Sequence, residues 1–344
     1  MEDIEVYDPH NMIHENSHMV KDLEKSLRQD LHLAHIDFDR IVVCGMGGSA
    51  IGGDIVADSL YSVSKYPVTV VRYPELPGWV NENTLVIISS YSGNTMETVS
   101  AYDEARKKGC SIVAISSGGA ITERCMADNV PVVSIKEGIQ PRNAVGYTVG
   151  YIINIIASVG GPDIRQFCLN SIPALNKYLD EIVPLDGLPR NIALEIYGHL
   201  PVIYSVPEMY AIASRWRAQF NENAKIVAFD GHLPDTNHND ILGLINDGGK
   251  KAKPILLMDR NQSKMMKEMV NRTISTLKER GLSPYVVMVS GKNSFERTFK
   301  MLLLGDFISL HLAFFQSIDP SDVSSIKSLK KSLTRKLLGR KKRK

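Results

Sequence analysis

Short apolar runs closed off by turn residues recur through the first half of the chain: Ile41 to Cys44, Leu85 to Ser89 and Ser111 to Ser116, with Val68 to Arg72 as a fourth. Runs of this kind, apolar without alternation, suit strands buried on both faces of a parallel sheet. A helical stretch follows each, and the alternation predicts an α/β, doubly wound layer. Pro201 to Val206, Pro254 to Met258 and Tyr285 to Val289 repeat the outline, offset by about 160 to 175 residues. Two similar parallel-sheet subdomains are predicted, residues 1–185 and 186–344, divided within the loop-prone VPLDGLP at 183–189. Tyr151 to Val159 reads as a buried helix. At the end of the chain, Ile326, Leu329, Leu333, Leu337 and Leu338 fall at helical spacing with Lys or Arg on the other faces. That pattern predicts a C-terminal helix with its apolar side packed on a subdomain and one lysine held over a cleft.

Composition changes the picture in two places. The 344 residues are 44% hydrophobic and 23% charged, ordinary for a soluble globular protein of two domains. The net charge of +2 conceals a division: residues 327–344 hold ten Lys or Arg and no acid, leaving 30 basic against 38 acidic residues elsewhere. Such a tail can meet nucleic acid or an anionic membrane; the reading preferred from the charge run is a solvated helix end. Cys44, Cys110, Cys125 and Cys168 show no CxxC spacing, so reduced thiols and a cytoplasmic setting are expected. The opening MEDIEVYDPHN is too acidic for a secretory leader, and no apolar run reads as a membrane span.

Candidate chemistry begins after the first strand, where Gly45, Gly47, Gly48 and Ser49 open a helix. Glycines there let backbone N–H groups reach an anionic ligand at a helix N-terminus. A dinucleotide fold is the rival. Against it, GMGGSAIGG departs from GxGxxG, and the next strand ends in Arg72, where an acid would hold the ribose of NAD. Arg72 would suit only an NADP phosphate. Ser90, Ser92 and Thr95, in SSYSGNT at the end of a later strand, can donate several hydrogen bonds to one phosphate without a metal. The bland alternative is a helix cap by Ser92 or Asn94. His10, His14 and His18, spaced i, i+4, i+8, could share a helix face and bind zinc, but no fourth ligand accompanies them; His232 and His238 are weaker still.

GMGGSAIGG followed by SSYSGNTMET resembles the sugar isomerase (SIS) domain, a flavodoxin-like unit that binds phosphosugars. PRNAVGY at 141–147, RWRAQFNENAK at 215–225 and NHNDILG at 237–243 look like the bifunctional phosphoglucose/phosphomannose isomerases. The resemblance implies interconversion of glucose 6-phosphate, and of mannose 6-phosphate, with fructose 6-phosphate, in glycolysis and gluconeogenesis, with no metal or cofactor. It implies that Gly47, Gly48 and Ser49 line the sugar pocket and that Ser90, Ser92 and Thr95 hold phosphate. Glu222 would be the base, Arg142 would face the reacting carbons, and Lys330 would assist His238 in ring opening. His238 would come from the partner of a homodimer. Val323 stands where the family pattern leads one to expect Thr, which bears on acceptance of mannose 6-phosphate, and Lys327 and Lys331 compete with Lys330.

These residue types suit the chemistry. Moving a proton between C2 and C1 of an open-chain sugar needs a carboxylate, and the enediol intermediate needs a fixed cation, which a guanidinium supplies. An imidazole exchanges protons near neutrality, as ring opening requires. A phosphosugar-sensing protein without turnover is the competing class; it would keep the Ser/Thr loop and have no need of Glu222 and His238 together.

Overall fold

The computed structural model describes residues 8–247 and 251–341. Two short helices, α1 (Met12–Ser17) and α2 (Met19–Arg28), precede β1 (Arg40–Cys44), α3 (Gly48–Leu60), β2 (Val68–Val71) and β3 (Thr84–Ser90). The first unit continues with α4 (Met96–Lys107), β4 (Ser111–Ser116), α5 (Gly119–Asp128), β5 (Val132–Ser134) and α6 (Val145–Ser158). Then come α7 (Arg165–Leu169), α8 (Ile172–Ile182) and α9 (Leu188–Ile196). The second unit runs β6 (Leu200–Ser205), α10 (Tyr210–Glu222), β7 (Phe229–His232), α11 (Asp240–Asp247), β8 (Ala252–Met258), α12 (Lys264–Glu279) and β9 (Tyr285–Met288). Two helices close the chain, α13 (Ser294–Phe315) and α14 (Ser324–Lys341).

Both sheets are parallel, ordered β2-β1-β3-β4-β5 and β7-β6-β8-β9. This is the flavodoxin-like order, given once in full and once short of a strand. The central strands are the predicted ones. Edge strands β5 and β7 escape an apolar-run criterion because an edge has less to bury: Phe229–His232 reads FDGH and Ser134 is exposed. The order reverses between β1 and β3, whose register pairs Cys44 with Ile88. Hence the glycine turn after β1 lies beside Ser89 and Ser90.

Helix α6 begins earlier than predicted, at Val145, and is buried throughout its first three turns. Two of its glycines admit the backbone of α2: a Cβ on Gly146 would stand 2.2 Å from the Met19 carbonyl oxygen, and one on Gly150 would meet Ser26. Helix α13 was not foreseen. It is long and apolar enough to cross a membrane by length and composition, contrary to the reading that no run approaches that length, yet 89% of that stretch is buried inside the fold. It serves as a core helix packed on α8, α9 and α10.

Neither the rival histidine face nor the core contact expected of the C-terminal helix is found among the described residues. His10, His14 and His18 do not share a helix, because α1 ends at Ser17 and His10 precedes it. The His18 ring instead meets the His14 carbonyl, and among the described residues no group of three or more His, Cys, Asp or Glu could hold a metal ion. Helix α14 forms, but Ile326, Leu329 and Leu333 are 43%, 61% and 47% exposed, so among the described residues the predicted core contact is not made. Helical spacing specifies an apolar face and says nothing of what covers it. The side chains of Leu337 and Leu338 lie outside the described residues.

Gly146→Ala is expected to destabilise the fold by about 1 to 3 kcal/mol, since a backbone carbonyl cannot swing aside. The shift of the urea midpoint measures it.

Candidate active site

Gly47 is the first constraint at the site. It caps α3 with φ 53° and ψ −126°, a conformation open to glycine and strained for other residues. A Cβ on Gly48 would meet the Pro141 carbonyl at 3.0 Å and the Arg142 Cα at 3.2 Å. The glycine turn therefore packs directly against the backbone that presents Arg142, joining two motifs that lie far apart in sequence.

The Ser/Thr loop is braced from three sides. Tyr91 Oη donates to the Lys136 carbonyl (3.0 Å) and accepts from the Ile139 amide (2.9 Å), tying the loop to the segment that leads to Arg142. Ser117 Oγ donates to the Tyr91 carbonyl (2.6 Å), and Asn94 Oδ1 accepts from the Ala120 amide (3.1 Å). Gly93, at φ 65°, touches the Gly118 carbonyl so closely that no Cβ fits. The cap reading finds little support: Thr95 occupies the N-cap of α4 without a side-chain capping bond, and Ser92 Oγ accepts only from the Asn94 amide (3.3 Å). Ser90 Oγ, like Ser89 Oγ beside it, is buried with no partner among the described residues. A buried hydroxyl left unsatisfied is costly.

Arg142 is 3% exposed and anchored at each nitrogen: Nε donates to Asn223 Oδ1 (2.7 Å), Nη1 to Glu222 Oε1 (3.0 Å) and Nη2 to the Pro320 carbonyl (2.8 Å). Desolvation and the nearby Arg215 charge push its pKa down, opposed by Glu222 and Glu15. Arg215 is bidentate to the buried Asp306 (3.0 and 2.8 Å) and donates to the Arg142 carbonyl (2.6 Å). Asn223 in turn donates to Ser309 (2.8 Å). Glu222, at the last residue of α10, keeps a side chain 31% exposed to a cleft of about 550 Å³. Gly47, Gly48, Arg142, Arg215 and Glu222 line that cleft, together with His232, whose ring stacks on Tyr210 at 3.9 Å.

Other predicted residues lie elsewhere. Ser49 sits in the first turn of α3, partly buried. His238 ends a short 3₁₀ turn, exposed, and does not line the cleft. Asp240, two residues on, accepts from Tyr204 Oη at 3.3 Å. Lys327, Lys330 and Lys331 lie along α14, and none of them lines the cleft, whereas Arg72 does line it, ion-paired with Asp54. Sequence reasoning missed Asn223, Lys225, Arg215, Asp306 and Ser309 as supports. RWRAQFNENAK contained three of them, but nothing in their spacing marks them as partners of a loop after β5. The four cysteines are free and buried; burial pushes the Cys44 thiol up to about 12.

A glycine turn and a hydroxyl loop flanking the switch point of a flavodoxin-like sheet define a SIS-domain protein. The SIS domain model matches residues 36–130, and the model for the bacterial phospho-glucose isomerase C-terminal SIS domain matches residues 186–333. A bifunctional phosphoglucose/phosphomannose isomerase of Thermoplasma acidophilum is 36% identical, covering 93% of this chain and 98% of that protein. Its counterpart in Caldicellulosiruptor bescii is 32% identical, covering 86% and 90%. The chain belongs to the bifunctional phosphoglucose/phosphomannose isomerase family. Among solved structures, a hypothetical protein of Thermus thermophilus shares the fold with a TM-score of 0.75 at 16% identity, over 96% of this chain and 91% of that one. The C-terminal domain of glucosamine-fructose-6-phosphate aminotransferase from Francisella tularensis gives 0.72 at 13%, over 91% and 98%.

Asp58, on α3 at the far end of the cleft, accepts from the Ala211 amide at 3.2 Å, and desolvation pushes its carboxyl up to about 6. The folded state thus holds this proton more tightly than the unfolded chain, and its contribution to stability falls as pH rises through that window. Asp58→Asn keeps an acceptor for Ala211 and is expected to raise stability by about 1 to 3 kcal/mol near pH 7, with little change near pH 4. Urea unfolding at the two pH values checks it.

Proposed function

We propose that this protein isomerises glucose 6-phosphate and mannose 6-phosphate to fructose 6-phosphate, through ring opening and a cis-enediol, without a metal or nucleotide. The observation that carries the reading is the buried Arg142 guanidinium 3.0 Å from Glu222, in one cleft with the glycine turn. A carboxylate beside a fixed cation can take a proton from C2 and return it to C1 while the cation meets the charge developing on the enediol oxygens. Desolvation of Arg142 strengthens that interaction, because little water competes for the charge.

In this reading Ser90, Ser92 and Thr95 hold the phosphate with the α4 N-terminus, and Gly47, Gly48 and Ser49 pass the sugar backbone-close. The unpartnered Ser90 hydroxyl supports the phosphate assignment. His238 opens the ring from a second subunit of a homodimer, assisted by Lys330. Its exposure, away from the cleft of its own chain, is compatible with that arrangement. Residues 1–185 and 186–344 act as two subdomains of one cytoplasmic enzyme of hexose-phosphate metabolism. Because C2 configuration alone separates glucose from mannose 6-phosphate, one base serves both where the C2–C3 bond can turn. Val323 immediately precedes α14, its carbonyl accepting from the Lys327 amide at 3.0 Å.

Coupled assays with glucose, mannose and fructose 6-phosphates in the presence of EDTA test class, specificity and metal requirement together. Turnover is expected for all three, and an essential zinc would overturn the mechanism. Glu222→Gln should abolish C2 proton exchange, followed by loss of deuterium, while sugar-phosphate binding stays within a few-fold; undiminished exchange removes Glu222 from its role. A phosphosugar sensor would show binding without turnover in the wild type. Thr95→Ala should weaken binding by about 1 to 3 kcal/mol, and unchanged affinity by calorimetry would return the loop to a structural role.

A further inference from the structure

An ammonium group closes the C-terminal end of α10. Lys225 adopts a left-handed backbone, φ 55°, and its Nζ lies among four carbonyl oxygens: Glu222 (2.9 Å), Asn223 (3.3 Å), Asp319 (3.0 Å) and Pro320 (3.2 Å). An ammonium carries three N–H groups, so four acceptors leave none for a substrate. Two of those oxygens belong to the end of α10, where the helix dipole favours a cation. The other two belong to the turn between α13 and α14, and the Pro320 carbonyl also receives Arg142 Nη2 at 2.8 Å. Two cations thus converge on one carbonyl, and the far side of the turn is pinned by Asp319 Oδ1, which accepts from the Ser321 amide (2.7 Å) and hydroxyl (2.6 Å). Burial and the charge of Arg142 push the Lys225 pKa down, while Asp322, Asp319 and Glu222 oppose that shift.

Resting on the isomerase reading above, we infer that Lys225 is a positioning residue for the reaction: it locks the Asp319–Pro320 turn to the end of α10. Arg142 and Glu222 are thereby held in a single arrangement beside a fixed positive charge. Without the tether, the Pro320 carbonyl is free to leave Arg142, whose guanidinium then has one anchor fewer against Glu222. Helix α14 departs from the same turn, so the tether also sets where the C-terminal helix begins. The charged groups facing Lys225 are Arg142, Glu222, Asp319 and Asp322, and those around Arg142 are Arg215, Glu15 and Glu222.

The test compares wild type, Lys225→Gln, Lys225→Arg and Asp319→Ala in the full chain, with circular dichroism to verify folding and kcat and KM read on fructose 6-phosphate. Lys225→Gln is expected to lower kcat by about 10- to 100-fold, the range for a misplaced catalytic group, with KM changed by no more than about threefold. Lys225→Arg should restore most of kcat. Asp319→Ala loosens the turn but leaves the ammonium, so kcat should fall by less. A folded Lys225→Gln with kcat within about twofold of wild type overturns the inference. If that variant does not fold, unaltered kcat in both Lys225→Arg and Asp319→Ala overturns it instead. A wild type that turns over no sugar phosphate removes the isomerase assignment and this inference with it, an outcome distinct from an active wild type with indifferent variants.

Discussion

A guanidinium taken out of water dictates the architecture of this site. Arg142 cannot shed its proton, so every contact it loses with solvent must be replaced by an acceptor from the protein. The replacements come from two distant stretches, the Glu222–Asn223 end of α10 and the Pro320 carbonyl after α13, which meet the loop after β5 that carries Arg142. Satisfying one charge therefore forces the first sheet, the second sheet and the C-terminal segment to meet. Breaking such a buried arrangement on one side typically costs about 3 to 5 kcal/mol. The Arg215–Asp306 pair beneath it, 2% and 0% exposed, holds the Arg142 carbonyl and extends the same demand one layer deeper.

That convergence divides labour between the two units. The first sheet offers backbone N–H groups and hydroxyls at its switch point, a neutral setting suited to a dianionic phosphate. The second contributes the carboxylate at the end of α10, and the long core helix α13 supplies Asp306 and Ser309, which hold Arg215 and Asn223. Glu222 stands at an element terminus, where backbone geometry fixes it better than a free loop would. Gly48 is then less a binding residue in isolation than the clearance that lets the Arg142 loop settle against α3, while Gly47 supplies the positive-φ turn before it.

The fold was largely legible, and the reason is burial. Strands β1, β3, β4, β6 and β8 are covered on both faces, so their apolar runs stand out; β5 and β7, at edges, carry serine, aspartate and glycine and leave no such trace. Helix α13 was missed because charged residues that it buries in pairs, Arg297, Lys300 and Asp306 among them, interrupt its apolar run. The motifs located Arg142 and Glu222, and the structure brings the two together. They did not reveal Asn223, Lys225, Arg215 or Asp306 as supports, since pairing between residues about 80 to 180 positions apart leaves no local spacing to read.

The amino-acid sequence by itself determined the alternation of strands and helices, the glycine turn, the hydroxyl loop and the identity of the charged residues, because each is set by local periodicity or local backbone freedom. Tertiary structure alone decided which acceptors surround Arg142, that α13 lies inside the molecule, and that Ile326, Leu329 and Leu333 of α14 stay uncovered among the described residues. Desolvation is the physical reason: a buried charge or an apolar face states a requirement, and only the three-dimensional packing shows which distant group meets it.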